Sequence, residues 1–121
     1  MTTSELQTTV RARDGVAVID LTGDLNSSAE GTLNEAYEQA TSSGAGAIVL
    51  NFKRAEYINS TGIALIVGLL AQARANRVQM KAFGLSDHYR EIFEITRLAD
   101  FMTITDDEEG AVSGAEGRHD A

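Results

Sequence analysis

Apolar residues recur along this chain with two periods, and the switching between them outlines the fold. Residues 16–22 form a β-branched run that opens after Asp14-Gly15. That dipeptide favours a tight hairpin turn, so a first strand is expected over residues 6–13, paired with a second over 16–22. Gly23-Asp24-Leu25-Asn26 then reads as a loop. Ser27 and Glu30 fit a capping box, in which the serine accepts from the third helical amide and the glutamate reaches back. Leu33, Ala36, Tyr37 and Ala40 follow at i, i+3, i+4 and i+7, the signature of a helix with one apolar face. Ser42-Ser43-Gly44 supplies the stop.

Residues 47–52 are almost continuously apolar, as expected of a central strand covered on both faces. Residues 53–58 read as a loop leading to Asn59-Ser60-Thr61-Gly62. The helix predicted beyond it is apolar nearly all round, so it is either buried or offers a face to a partner. A strand is expected over 78–83 and a third helix capped by Ser86 or Asp87, with Ile92, Phe93 and Ile95 inward. A last strand is expected over 101–105. The resulting order, β-β-α-β-α-β-α-β, implies one α/β domain with a mostly parallel, mixed sheet and helices packed on it.

Composition narrows the function. The 121 residues include no cysteine and two histidines, which excludes thiolate metal sites and cysteine nucleophiles. A net charge of −8 argues against a nucleic-acid partner, which would call for a basic patch. The longest apolar stretch, residues 63–71, is well short of a membrane span, and no signal peptide is visible, so a cytoplasmic protein is expected.

The charge is unevenly placed. Residues 106–121 hold six acids and one base, a net of −5, and residues 1–105 a net of −3. Glycines and a single large apolar residue, Val112, accompany those acids. Residues 106–121 therefore read as a disordered acidic tail outside a domain of residues 1–105, with a short helix near 106–112 as the alternative.

Catalytic chemistry is hard to assemble. Phosphate-binding glycine motifs and the G-x-S-x-G elbow are absent. His88 has no visible nucleophile beside it, and no acid–base pair or metal constellation emerges. The chain is expected to bind rather than to catalyse, with no cofactor. The informative segment is Tyr57-Ile58-Asn59-Ser60-Thr61-Gly62-Ile63-Ala64-Leu65, which joins a central strand to an apolar helix. Ligands and switches commonly sit at such junctions, and the same polar residues can equally serve only as helix caps.

Residues 16–26 and 57–65 together resemble two segments of the STAS domain family, named for sulphate transporters and anti-sigma factor antagonists. The first is similar to that family's second strand and its Gly-acid-Leu-Asp loop. The second is similar to its Asp-Ser-Ser/Thr-Gly phosphorylation segment. The resemblance spans about residues 6–105 and implies a STAS fold. It implies that Thr61, with Ser60 beside it, is the phosphoacceptor. Asn59 and Asn26 stand where the family often carries acids, while Asp24 keeps the preceding one.

The resemblance further implies an anti-sigma factor antagonist that works by partner switching, as a monomer or weak dimer. An anti-sigma factor serine/threonine kinase would dock on Asp24, Asn26, Ser27, Asn59, Ser60, Thr61, Gly62, Ile63 and Leu65. Phosphorylation would end the contact and a phosphatase would restore it. The alternative within the family is a scaffold subunit of a stress-sensing assembly or of a lipid-transport complex.

Overall fold

The computed structural model describes residues 5–116. Strand β1 (Gln7–Arg13) and strand β2 (Val16–Leu25) form an antiparallel hairpin in which Arg13 faces Val16. Asp14 and Gly15 both take positive φ, 52° and 85°, as a two-residue turn matched to strand twist requires. A 3-10 turn (Ser27–Ala29) leads into helix α1 (Glu30–Ser42), then strand β3 (Ala47–Ile58) and helix α2 (Ser60–Ala75). Strand β4 (Gln79–Phe83), helix α3 (Asp87–Ile95), a 3-10 turn (Leu98–Asp100), strand β5 (Thr103–Thr105) and helix α4 (Glu108–Glu116) complete the chain. The sheet order is β1-β2-β3-β4-β5, and every pairing after the hairpin is parallel.

Strand alternation divides the apolar residues between two cores. Ala17, Ile19, Ile48, Leu50, Met80 and Ala82 face one side and pack against Leu33 and Tyr37 of α1, Ile66 and Leu70 of α2 and Phe93 of α3. Val16, Val18, Ala47, Val49 and Phe83 face the other side, where Ala111 and Val112 of α4 cover them. The near-continuous apolarity of 47–50 thus has its cause: both faces of the sheet are covered there.

Several sequence expectations are corrected. Residues 23–25 and 53–58 are strand, not loop. Beyond Phe83, where β4 ends, β2 and β3 continue as a parallel pair up to Leu25 opposite Ile58. Main-chain bonding holds that extension, so exposed Lys53, Arg54 and Glu56 do not interrupt it. Two irregularities, after Asp20 and after Gly23, each place an extra residue on β3. The Asn51 side chain bridges the first by accepting from the Lys53 amide at 2.9 Å.

The expected capping box does not form. Asn26 is the cap, its side chain accepting from the amide and hydroxyl of Ser28 at 3.0 and 2.7 Å. That starts a 3-10 turn first and delays α1 to Glu30. Ile95 is 71% exposed, because it lies about 200° around α3 from buried Phe93. Phe101, expected at the start of the last strand, precedes it and is 54% exposed.

The acidic C-terminal segment is also reassigned where it is described. Residues 108–116 form α4, and Ala111 and Val112 are buried. Glu108 pairs with Arg11 and Arg13 on β1 at 2.7 Å each, and Glu109 with Arg13 at 2.9 Å. Arg11 also pairs with Asp20, which accepts from Asn51 at 2.8 Å. The hydrogen bonds from Arg11, then Arg13, outweigh desolvation and hold the Glu108 carboxyl at about 2. Residues 117–121 lie outside the described residues.

Candidate functional site at the ends of β2 and β3

The carboxyl ends of parallel β2 and β3 stop side by side, and each is followed by an asparagine-capped turn. The Asn59 amide donates to the Leu25 carbonyl at 3.2 Å, joining the two turns. The Asn59 side chain accepts from the Gly62 amide at 2.8 Å, and its own carbonyl accepts from Ile63 at 2.9 Å. Asparagine at 59 thus caps α2 as an aspartate would, but without charge. Gly62 is buried, and a β-carbon there would overlap the Leu25 carbonyl and sit 2.8 Å from its carbon. The glycine serves contact within the chain: it lets the first turn of α2 rest on the end of β2.

This anchoring leaves Ser60 and Thr61 exposed on the outer side of the first helical turn. Ser27 and Ser28 are exposed on the neighbouring turn, with Asn26 half-buried. Tyr57, 55% exposed, stands at the rim, and Asp24 lies opposite it in register, 8% exposed. Neither 25–29 nor 57–65 contains a charged residue. Electrostatically, the surface is two uncharged turns over one buried carboxylate and the positive end of the α2 dipole.

The structure brings together Asp24, Asn26, Ser27, Asn59, Ser60, Thr61 and Gly62. Ile63 and Leu65 differ, being partly buried and packed against the main core. The outward apolar positions of α2 are instead Ala64, Val67, Gly68 and Ala71, with Val67 46% exposed. Their spacing continues the helical face that carries Thr61. In a helix apolar all round, small residues at 64, 68 and 71 were the available signal, since small side chains contribute least to a core. His88 is exposed on α3, its ring edge-on to Tyr89 at 5.0 Å. Tyr89 serves the scaffold, its hydroxyl accepting from the Ile58 amide at 3.0 Å. Among the described residues, no group of three metal-binding side chains comes together and no helix is long and apolar enough to cross a membrane.

Comparison with known proteins follows this geometry. A family model described as the STAS domain matches residues 7–111. An anti-sigma-B factor antagonist from Staphylococcus aureus is 36% identical over 59 residues, 49% of this chain and 55% of that protein. The chain is thus aligned to about half the length of that relative. An anti-sigma factor antagonist from Mycobacterium paratuberculosis has the same fold, with a TM-score of 0.78, 15% identity and coverage of 93% and 96% of the two chains. The Bacillus cell fate determinant SpoIIAA, solved in its phosphorylated form, superposes with a TM-score of 0.65 at 25% identity, covering 89% and 96%.

Proposed function

The chain belongs to the STAS domain family, and we propose that it is an anti-sigma factor antagonist switched by phosphorylation at Thr61. Unphosphorylated, it docks an anti-sigma factor kinase through the two asparagine-capped turns and the outward stripe of α2, freeing a sigma factor. The observation that carries this reading is the position of Thr61. Thr61 is exposed on the first turn of α2, at the head of the exposed stripe Ala64, Val67, Gly68 and Ala71. The names of the Staphylococcus relative and of the phosphorylated SpoIIAA support it.

Phosphoryl transfer would proceed as follows. The Thr61 hydroxyl oxygen attacks the γ-phosphorus of ATP held by the kinase. The bond from that phosphorus to the bridging oxygen breaks, ADP leaves, and the hydroxyl proton passes to a base on the kinase. The product gains about −1.5 to −2 charge at neutral pH. Within the domain this is tolerated. Asn59 occupies the Gly62 and Ile63 amides, while the Ser60 and Thr61 amides precede the first intrahelical bonds and face outward with the dipole.

In an interface the same charge is costly. A like charge at ~4 Å costs about 4 kcal/mol at an effective dielectric of 20, about a thousandfold in affinity. The switch therefore needs no change of fold. It works by placing a dianion on a turn that otherwise carries no charged side chain.

The test is to incubate the protein with its anti-sigma factor kinase and ATP and locate the phosphate by peptide mass spectrometry. One phosphoryl group on Thr61, absent from Thr61→Val, is expected. A stable complex with no phosphate on Thr61 or Ser60 would replace the switch with a constitutive scaffold.

A further inference from the structure

Strand β1 is an edge of the sheet, and one side of its main chain has no partner. Arg13 and Val16 flank the two-residue turn, so they exchange both of their main-chain hydrogen bonds. Bonded pairs then alternate along the regular register, and Gln7, Thr9, Arg11 and Arg13 bond inward to β2. The N–H and C=O groups of Thr8, Val10 and Ala12 point away from β2, and among the described residues no hydrogen bond satisfies them.

Native sheets blunt such an edge with proline, a bulge, lysine or very short length. The other edge strand, β5, has three residues. Strand β1 has seven, none of them proline or lysine, and it pairs without irregularity. Its two charges are neutralised on the α4 face, Arg11 by Asp20 and Glu108, Arg13 by Glu108 and Glu109.

We propose that β1 of a second copy of this chain pairs with it antiparallel, across a two-fold axis at Val10, joining the two sheets into one. The register follows from the free groups. Val10 is set opposite Val10, and Thr8 opposite Ala12, so the three N–H and three C=O groups of each copy make six main-chain hydrogen bonds. Thr9 then faces Arg11 and Gln7 faces Arg13, so no arginine opposes an arginine. Exposed Glu5 comes diagonal to Arg13 of the second copy, within reach of its guanidinium. A shift of the pairing toward the turn would set Arg11 against Arg11 and lose two of the six bonds.

Helix α1, which packs over β1 and β2, is compatible with this neighbour. Tyr37 accepts from Asn76 at the end of α2, which marks the α2 side of α1. Thr32, Ala36 and Gln39 lie about 100–160° around the helix from Tyr37, on the flank turned toward β1. That flank is uncharged, although α1 carries Glu30, Glu35 and Glu38 and no base. Glu30 and Glu38 turn toward α2, and Glu35 toward solvent. The two α1 helices therefore meet across the axis without like charges. The surface is separate from the Thr61 switch.

The experiment combines sedimentation equilibrium of the full chain with amide hydrogen exchange read by NMR at ~20 μM and ~1 mM. An edge of this size should give a weak dimer, with Kd about 10–100 μM. The Thr8, Val10 and Ala12 amides should exchange about fourfold to sixfold more slowly at the higher concentration, while Thr9 and Arg11 exchange equally at both. Ala12→Pro removes an outward N–H at an exposed position without losing a bond to β2. It should keep the unfolding midpoint near wild type and weaken the dimer tenfold or more. If the variant is less stable, the wild-type exchange pattern decides by itself. A monomer at ~1 mM, concentration-independent exchange at Thr8, Val10 and Ala12, or unchanged association of a folded Ala12→Pro overturns the proposal.

Discussion

Gly62 packs against the carbonyl of Leu25 with no room for a β-carbon between them. That contact ties the start of α2 to the end of β2 and so fixes where Thr61 points. Gly62→Ala should therefore destabilise the domain by about 1–3 kcal/mol, as forced overpacking does. Urea unfolding should show a lower midpoint at unchanged slope. An unaltered midpoint would mean that the two turns are not held together as described.

The two asparagine caps make a second, milder prediction. Asn59→Ala removes the oxygen that holds the Gly62 amide and should cost about 1 kcal/mol. Asn59→Asp should keep the cap and gain about 0.3–1 kcal/mol from the helix dipole at neutral pH. Thermal unfolding of the pair should rank aspartate above asparagine and asparagine above alanine.

Partner contact can be separated from stability at Val67. This side chain is 46% exposed on the outer face of α2. Val67→Glu should leave the unfolding midpoint within about 0.5 kcal/mol of wild type. It should weaken anti-sigma factor binding by tenfold or more, about 1.4 kcal/mol. Retained affinity would move the docking surface away from α2.

Helix α4 should respond to acid. The Glu108 carboxyl is held at about 2, against 4.5 for the free group, by Arg11 and Arg13. Its folded value is depressed, so its contribution to stability is full above pH ~4.5 and fades as pH falls towards 2. Hydrogen exchange at the Ala111 and Val112 amides should accelerate across that window. Glu108→Gln should show the faster exchange already at neutral pH, and raised salt should narrow the difference from wild type.

Much of this architecture was legible in the chain. The β-branched run of β2, the near-continuous apolarity at the start of β3, the Asp14-Gly15 turn and the apolar face of α1 all read directly, because each is set by neighbours in sequence. The strand extension over 53–58 was not legible. Its exposed residues look like loop, and what makes it strand is main-chain pairing with β2, some thirty residues earlier. Helix α4 stood only as the alternative to a disordered tail for a similar reason. Glu108 looks like solvated tail until Arg11, 97 residues away, is placed beside it. At the candidate site, the cap at Asn59 was legible from its position before the helix. The outward stripe of α2 was not read: small residues at 64, 68 and 71 mark it, but in a helix apolar all round only the packed structure tells Val67 from Ile63 and Leu65.

The central claim is that negative charge at Thr61 controls partner affinity while the fold stays fixed. Calorimetric titration of the anti-sigma factor kinase with wild type, Thr61→Val and Thr61→Asp tests it most directly. The account predicts near wild-type affinity for the neutral valine variant, and for aspartate a loss between tenfold and about a thousandfold, with unchanged unfolding midpoints. Equal affinity of Thr61→Asp and wild type would contradict it.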